Sequence, residues 1–292
     1  MNTVYRGFTT EQLQAQYSAR AAVPEHPEIF RRWQEQSAAF RREAECLLDL
    51  EYGKGDRERI DLFPTDSAPS PVMLFIHGGY WQAMDKGAFS FLARELVNRG
   101  VAVAIMNYGL CPAVTLDQIV DQSRRALVWL WSNAEHYGVD PDRIHLCGHS
   151  AGGHLLGMLM ATDWRDFDPA PPPDVIKSAL SISGLFELEP LIHTAINDAL
   201  RLDRETAIRN SPLLLRPEAR APFVLTVGGE ESEEFHRQSR EMSLRWASEG
   251  VATSLLELPS LNHFTMLDQL ALPGTLLTRH ALALVKGGEP PD

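Results

Sequence analysis

Apolar residues recur along this chain in two rhythms, and the elements they predict alternate. Residues 71–76 (Pro-Val-Met-Leu-Phe-Ile) and 101–106 (Val-Ala-Val-Ala-Ile-Met) are apolar almost throughout. That is the pattern of strands buried on both faces. Residues 57–63 follow the turn-prone Gly53-Lys54-Gly55 and alternate polar with apolar, as a half-buried strand does. Further strands are expected over 143–147, 176–182, 222–227 and 253–258. Helical spacing fills the intervals: 88–99 stopped by Gly100, 116–137 ending at Gly138, and 150–162. Strands alternating with helices imply an α/β protein with a mostly parallel central sheet, flanked by helices through right-handed crossovers.

Two stretches fall outside the alternation. Residues 10–50 are polar, charged and helix-permissive, broken at Pro24 and Pro27, and read as helices packed outside the sheet. Residues 187–215 form a helical stretch longer than a simple crossover needs and could cap a site. No internal repeat and no linker divides the 292 residues. The expectation is a single domain over 1–292, with an N-terminal helical segment over 1–50 and a small helical cap over about 185–217.

Composition narrows the class. An apolar share of 44% and a charged share of 23% are ordinary for a domain with a sizeable core. Lys plus Arg number 27 against 39 Asp plus Glu, a net charge of −12 with no basic run, so nucleic acid and anionic membranes are poor partners. A small-molecule substrate is the expected partner, and self-association to a homodimer is the other one admitted. Cys46, Cys111 and Cys147 are odd in number and far apart, which points to reduced, structural thiols. No metal or cofactor motif is found, neither His-Glu-x-x-His nor paired cysteines. The opening Met1 to Arg6 carries no basic stretch followed by an apolar core, and no apolar run nears the roughly 18 residues of a membrane span. A cytoplasmic protein is the expectation. The cluster Asp168-Pro169-Ala170-Pro171-Pro172-Pro173 reads as a stiff surface loop.

The chemistry centres on Gly148-His149-Ser150-Ala151-Gly152, which lies between the apolar strand 143–147 and a helix. This strand, tight turn and helix make the context of a nucleophile elbow, with Ser150 projecting its hydroxyl from the top of a sheet and glycines where strand and helix crowd together. A serine hydroxyl attacks only when a base takes its proton and a carboxylate holds that base. In the α/β-hydrolase fold the order is serine, acid, histidine. His263 follows the last expected strand and is the candidate base. After the strand ending at Val227 the chain reads Gly228-Gly229-Glu230-Glu231-Ser232-Glu233-Glu234. Glu231 has the favoured spacing for the acid, with Glu230 as the alternative. Glu233 and Glu234 are expected only to begin a solvated helix, where negative charge suits the dipole.

Upstream, His77-Gly78-Gly79-Tyr80-Trp81 follows the strand 71–76. The amides of Gly78, Gly79 and Tyr80, with that of Ala151, are candidate donors to the oxyanion that forms when a carbonyl is attacked. Tyr80, Trp81 and His149 flank these motifs and stand as candidates for substrate binding.

These motifs, with Glu234-Phe235-His236-Arg237-Gln238-Ser239 and the early Leu13 to Arg20, resemble kynurenine formamidase (arylformamidase) of the α/β-hydrolase type, related to hormone-sensitive-lipase-like esterases. The resemblance spans nearly the whole chain. It implies Ser150 as nucleophile, His263 as base, the Gly79 and Tyr80 amides in the oxyanion hole, and the acid at position 231. The family carries aspartate there and this chain has Glu231, one methylene longer, so either the loop is displaced or the histidine is held from a different direction. The implied reaction is hydrolysis of an aryl formamide such as N-formyl-L-kynurenine, in tryptophan catabolism and without a cofactor. A carboxylesterase or amidase acting on another small acyl compound would use the same residues. A non-catalytic binding module is the remaining class, and its only support is the glutamate at 231.

Overall fold

The alternating pattern builds an eight-stranded sheet in the order β1-β2-β4-β3-β5-β6-β7-β8. The strands are β1 (Leu47–Glu51), β2 (Arg59–Phe63), β3 (Ser70–Ile76), β4 (Ala102–Met106), β5 (Val139–His149), β6 (Ile176–Ile182), β7 (Phe223–Gly228) and β8 (Thr253–Leu258). The computed structural model describes residues 3–288, so Met1 and Asn2 of the opening segment lie outside the described residues. β1, β2 and β4 pair antiparallel, and every pairing from β4 through β3 to β8 is parallel. The sheet of the α/β-hydrolase fold is thus mostly parallel, as the pattern implies.

Two apolar layers sandwich it, and the strand period assigns each residue to one of them. Val72, Leu74 and Ile76 of β3, with Ala102, Ala104 and Met106 of β4, join the core beneath helices Leu116–Asn133 and Ala151–Met160. Met73, Phe75, Val103 and Ile105 point the other way, into a core shared with helices His26–Glu43 and Leu276–Lys286. The helix Leu116–Asn133 is capped as its sequence allows: the Thr115 hydroxyl accepts from the Gln118 amide, and the Gln118 side chain reaches back to the Thr115 amide.

Several boundaries differ from expectation. Residues 47–50 fall within the expected N-terminal helical segment but belong to edge strand β1. Its side chains are mostly exposed, so no alternation marks it, and pairing with β2 decides its conformation. The helix expected over 88–99 is two 3-10 turns, Lys86–Ala88 and Ser90–Leu92, before a short helix Ala93–Asn98. Asn107 draws that segment inward by accepting from the Lys86 amide. Residues 187–215 break into a 3-10 turn Glu189–His193, helices Asn197–Leu200 and Arg204–Arg209, and a turn Pro212–Leu214. Among the described residues no helix is long and apolar enough to cross a membrane.

Candidate active site

The carboxyl ends of β3, β5, β7 and β8 lie along one rim, and the chemistry-bearing residues follow from those ends. This is where ligands bind in open α/β sheets. Ser150 leaves β5 with φ 56° and ψ −118°, a conformation that strains a non-glycine residue. The surroundings hold it there. The Ser150 amide donates to the Ile182 carbonyl at 2.8 Å, and helix Ala151–Met160 begins at the next residue. Gly152 permits the turn because a Cβ there would run into the Ile76 carbonyl of β3.

Beyond β3 the backbone coils through three successive positive φ angles, 108° at Gly79, 48° at Tyr80 and 57° at Trp81. A Cβ at Gly79 would also strike the Ala83 carbonyl. Gly78 packs directly against Ser150, since a Cβ on it would come within 2.9 Å of the serine Cβ. Among the described residues the Gly79, Tyr80 and Ala151 amides donate to no carbonyl in a turn or loop. A concave run of free amides beside a helix N-terminus suits a negative oxygen. His77 braces this loop from beneath: its ring stacks on Tyr108 at 4.5 Å, with its nitrogens 2.7 Å from the Gly78 carbonyl and 3.1 Å from Asn107 Oδ1. Burial pulls its pKa down to about 4.

His263 and Glu231 meet as the spacing suggests. His263 Nδ1 lies 2.6 Å from Glu231 Oε2. The other carboxylate oxygen is also occupied, since Glu231 Oε1 accepts from the Gly228 amide at 2.7 Å and from the Ser183 hydroxyl at 2.5 Å. Glu230 is exposed on the same turn and points to no histidine contact. Asn262 fixes the histidine loop, its Oδ1 accepting from the Phe264 and Thr265 amides. The His263 ring is packed between His149, at 4.7 Å, and Phe235, at 4.8 Å. His149 is itself held by a 2.8 Å hydrogen bond from Nε2 to the His263 carbonyl, and burial, then the nearby His263, pushes its pKa well below the ordinary histidine value. It is therefore a neutral prop that donates through Nε2.

Ser150, His149, His263, Gly78, Gly79 and Tyr80 line one cavity of about 500 Å³. Its remaining walls come largely from the N-terminal segment, through Tyr17, Arg20, Phe30 and Trp33. Residues 185–217 reach it only at Ile196. Only the resemblance over 13–20 hints at that division of labour in the sequence. Trp81, a candidate for substrate contact, is instead wholly buried with its ring edge-on to His154 at 4.8 Å, and is absent from the cavity wall. Its left-handed backbone turns the side chain into the core while the neighbouring Tyr80 faces the cavity. Ser183 is a site residue missed in the sequence. The signal would have been a Ser-Gly pair directly after β6, a neighbour of both β5 and β7.

Glu234 departs from its expected role as a solvated helix residue. It is buried, accepts from the Tyr17 hydroxyl at 2.6 Å, and forms a two-pronged ion pair with Arg237. Burial alone would raise its pKa, but Arg237 and Tyr17 together hold it below the usual carboxylate range. Gln238 completes the network, donating to the Tyr17 hydroxyl and accepting from the Phe186 and Glu187 amides. Thus the Glu-Phe-His-Arg-Gln-Ser element staples the N-terminal wall to the sheet. Among the described residues no group of three histidine, cysteine or acidic side chains is placed to hold a metal ion.

Known proteins resemble this chain across its length. The BD-FAE family model matches residues 60–173. Kynurenine formamidase from Danio rerio is 34% identical over 82% of this chain and 82% of its own length. The Salmo salar enzyme of the same name is 33% identical over 91% of this chain and 90% of its own. Among solved structures, a candidate thioesterase from Silicibacter sp. TM1040 superimposes with a TM-score of 0.82 at 31% identity, covering 91% of this chain and 98% of that one.

Proposed function

The chain belongs to the kynurenine formamidase family and is a hydrolase of the α/β-hydrolase type, and from that premise we propose that it is a serine hydrolase that cleaves an aryl formamide such as N-formyl-L-kynurenine. The observation that carries the substrate class is the wall opposite Ser150. Tyr17, Phe30, Trp33, Tyr80 and Phe89 surround a cavity large enough for one substituted aromatic ring.

In this mechanism Ser150 Oγ attacks the formyl carbon while His263 Nε2 takes its proton. Glu231 holds His263 by accepting from Nδ1–H, which fixes the tautomer and stabilises the imidazolium that forms. The amides of Gly79, Tyr80 and Ala151 receive the negative oxygen, each such donor contributing about 3 to 4 kcal/mol of barrier lowering. Collapse breaks the C–N bond, and His263 returns the proton to the departing arylamine. Water, deprotonated by His263, then hydrolyses the formyl ester on Ser150 and releases formate. The glutamate in place of aspartate supports the same chemistry, because its second oxygen is anchored by Gly228 and Ser183 and its longer arm still reaches His263.

The test is turnover of N-formyl-L-kynurenine by purified protein. A kcat/KM well above that for simple phenyl or nitrophenyl esters is expected, and parity with those esters overturns the formamidase assignment. The likeness to the candidate thioesterase favours a second reading, hydrolysis of a small acyl ester or thioester by the same residues. Labelling by a fluorophosphonate that is lost in Ser150→Ala is expected under either reading. Labelling that survives the substitution overturns both.

A further inference from the structure

We propose that Arg20 is the anchor for a carboxylate on the substrate, so that the cavity selects aromatic acyl compounds bearing an acidic side chain. This rests on the reading of Ser150 as nucleophile in the same cavity. Arg20 follows directly on Tyr17-Ser18-Ala19, in the short helix Ala19–Ala22, and its side chain lines the cavity at the N-terminal wall. Among the described residues it makes no ion pair and no side-chain hydrogen bond. Acids outnumber Lys plus Arg 39 to 27 in this chain, yet among the described residues none pairs with it. Three arginines that do not line the cavity are engaged with acids: Arg32 with Asp268, Arg57 with Asp85, Arg237 with Glu234.

The guanidinium carbon of Arg20 lies over the Phe30 ring, 5.6 Å from its centre. A guanidinium attracted to a ring face keeps N–H groups available to a carboxylate, which it can meet with two parallel hydrogen bonds. Among the described residues no carboxylate lines the cavity. The other ionisable wall groups are Tyr17 and Tyr80, whose phenols burial pushes up, and His149, which burial keeps neutral, together with His263 of the proposed base. Among the described residues Arg20 is therefore the one fixed positive charge on the wall, beside Phe30. An aryl ring packed on those side chains, with its acyl group at Ser150, would present an acidic side chain to Arg20.

Two substrate pairs test this. One is N-formyl-L-kynurenine against 2-formamidoacetophenone, which lacks both the carboxylate and the ammonium group, and the other, differing in the carboxylate alone, is 3-(4-acetoxyphenyl)propanoate against 4-ethylphenyl acetate. The wild-type protein is expected to favour the acid in each pair it turns over. Arg20→Gln should reduce the acid-to-neutral ratio of kcat/KM about tenfold, chiefly through KM, as loss of one solvent-accessible charge-assisted contact does. Arg20→Lys should restore part of the ratio, and salt should erode it in the wild type. A ratio unmoved by Arg20→Gln overturns the assignment, as does an equal loss on both members of a pair, which would mark a purely structural role. If the formamides are inert while the ester ratio falls, the formamidase reading fails and the anchor stands. Binding of 3-phenylpropanoate, followed by tryptophan fluorescence, needs no turnover, and an equal Kd for wild type and Arg20→Gln likewise overturns the proposal.

Discussion

At the scale of single residues, position 231 concentrates the proposed chemistry. Glu231 accepts three donors at once, from the Gly228 amide, the Ser183 hydroxyl and His263 Nδ1. Glu231→Gln offers one acceptor oxygen and an NH2 group that must face one of those donors, so the histidine loses its orientation. A fall in kcat of about 10³- to 10⁴-fold is expected, comparable to amide replacement of other triad acids. Glu230→Gln, on the exposed neighbour, should change kcat less than about twofold. Steady-state kinetics of the two variants decide the matter, and equal, mild losses would mean that the acid lies elsewhere. Ser183→Ala removes one of the two groups that brace the distal oxygen. It should lower kcat about tenfold with little change in KM, the cost of one hydrogen bond to a charged group; a KM effect alone would place Ser183 against the substrate instead.

At the scale of elements, the legible and the illegible parts divide along physical lines. β3 and β4 are apolar on both faces because the sheet is covered on both sides, and a run of that kind announces itself in sequence. The elbow was equally readable, since only glycine fits at 152 between strand and helix. β1 was not readable, because an exposed edge strand carries no alternation. The N-terminal wall was illegible for another reason: its placement depends on partners some 217 residues away, such as Tyr17 on Glu234. No local pattern encodes such a contact. Tyr17→Phe tests how firmly that wall is stapled. The substitution removes a hydroxyl that donates to buried Glu234 and accepts from buried Gln238. Stability should fall by about 1 to 3 kcal/mol, the cost of leaving buried polar groups unpartnered, read from the urea unfolding midpoint. Because Tyr80 donates to the Tyr17 carbonyl rather than to its hydroxyl, the loop beside Ser150 stays tethered. KM should therefore rise more than kcat falls, whereas a collapse of kcat with KM unchanged would mean that Tyr17 supports the reacting groups directly.

At the scale of the whole molecule, buried histidines couple the fold to pH. His77, His145 and His154 are each almost wholly buried, and burial lowers each to a pKa of about 4. In the unfolded chain they titrate near 6.5. Their neutral forms are thus favoured by folding, and that contribution is fully present above pH 6.5. It is lost as pH falls from about 6.5 toward 4, where the unfolded chain binds protons that the native state refuses. Glu234 and Asp85, both held below their ordinary values, erode stability in the same direction as they protonate. Each proton of difference adds about 1.4 kcal/mol of lost stability per pH unit. His145 lies on β5, hydrogen-bonded through Nδ1 to the Ser178 hydroxyl on β6, and is not part of the cavity wall. Replacing it by Gln removes one of these protons without touching the proposed chemistry. Urea unfolding at pH 7, 5.5 and 4.5 should show the wild type losing stability steeply, and His145→Gln losing it with a slope shallower by close to one proton. Superimposable slopes would mean that His145 is protonated as readily in the native state as in the unfolded one, and that the acid sensitivity resides in the other buried histidines and the carboxylates.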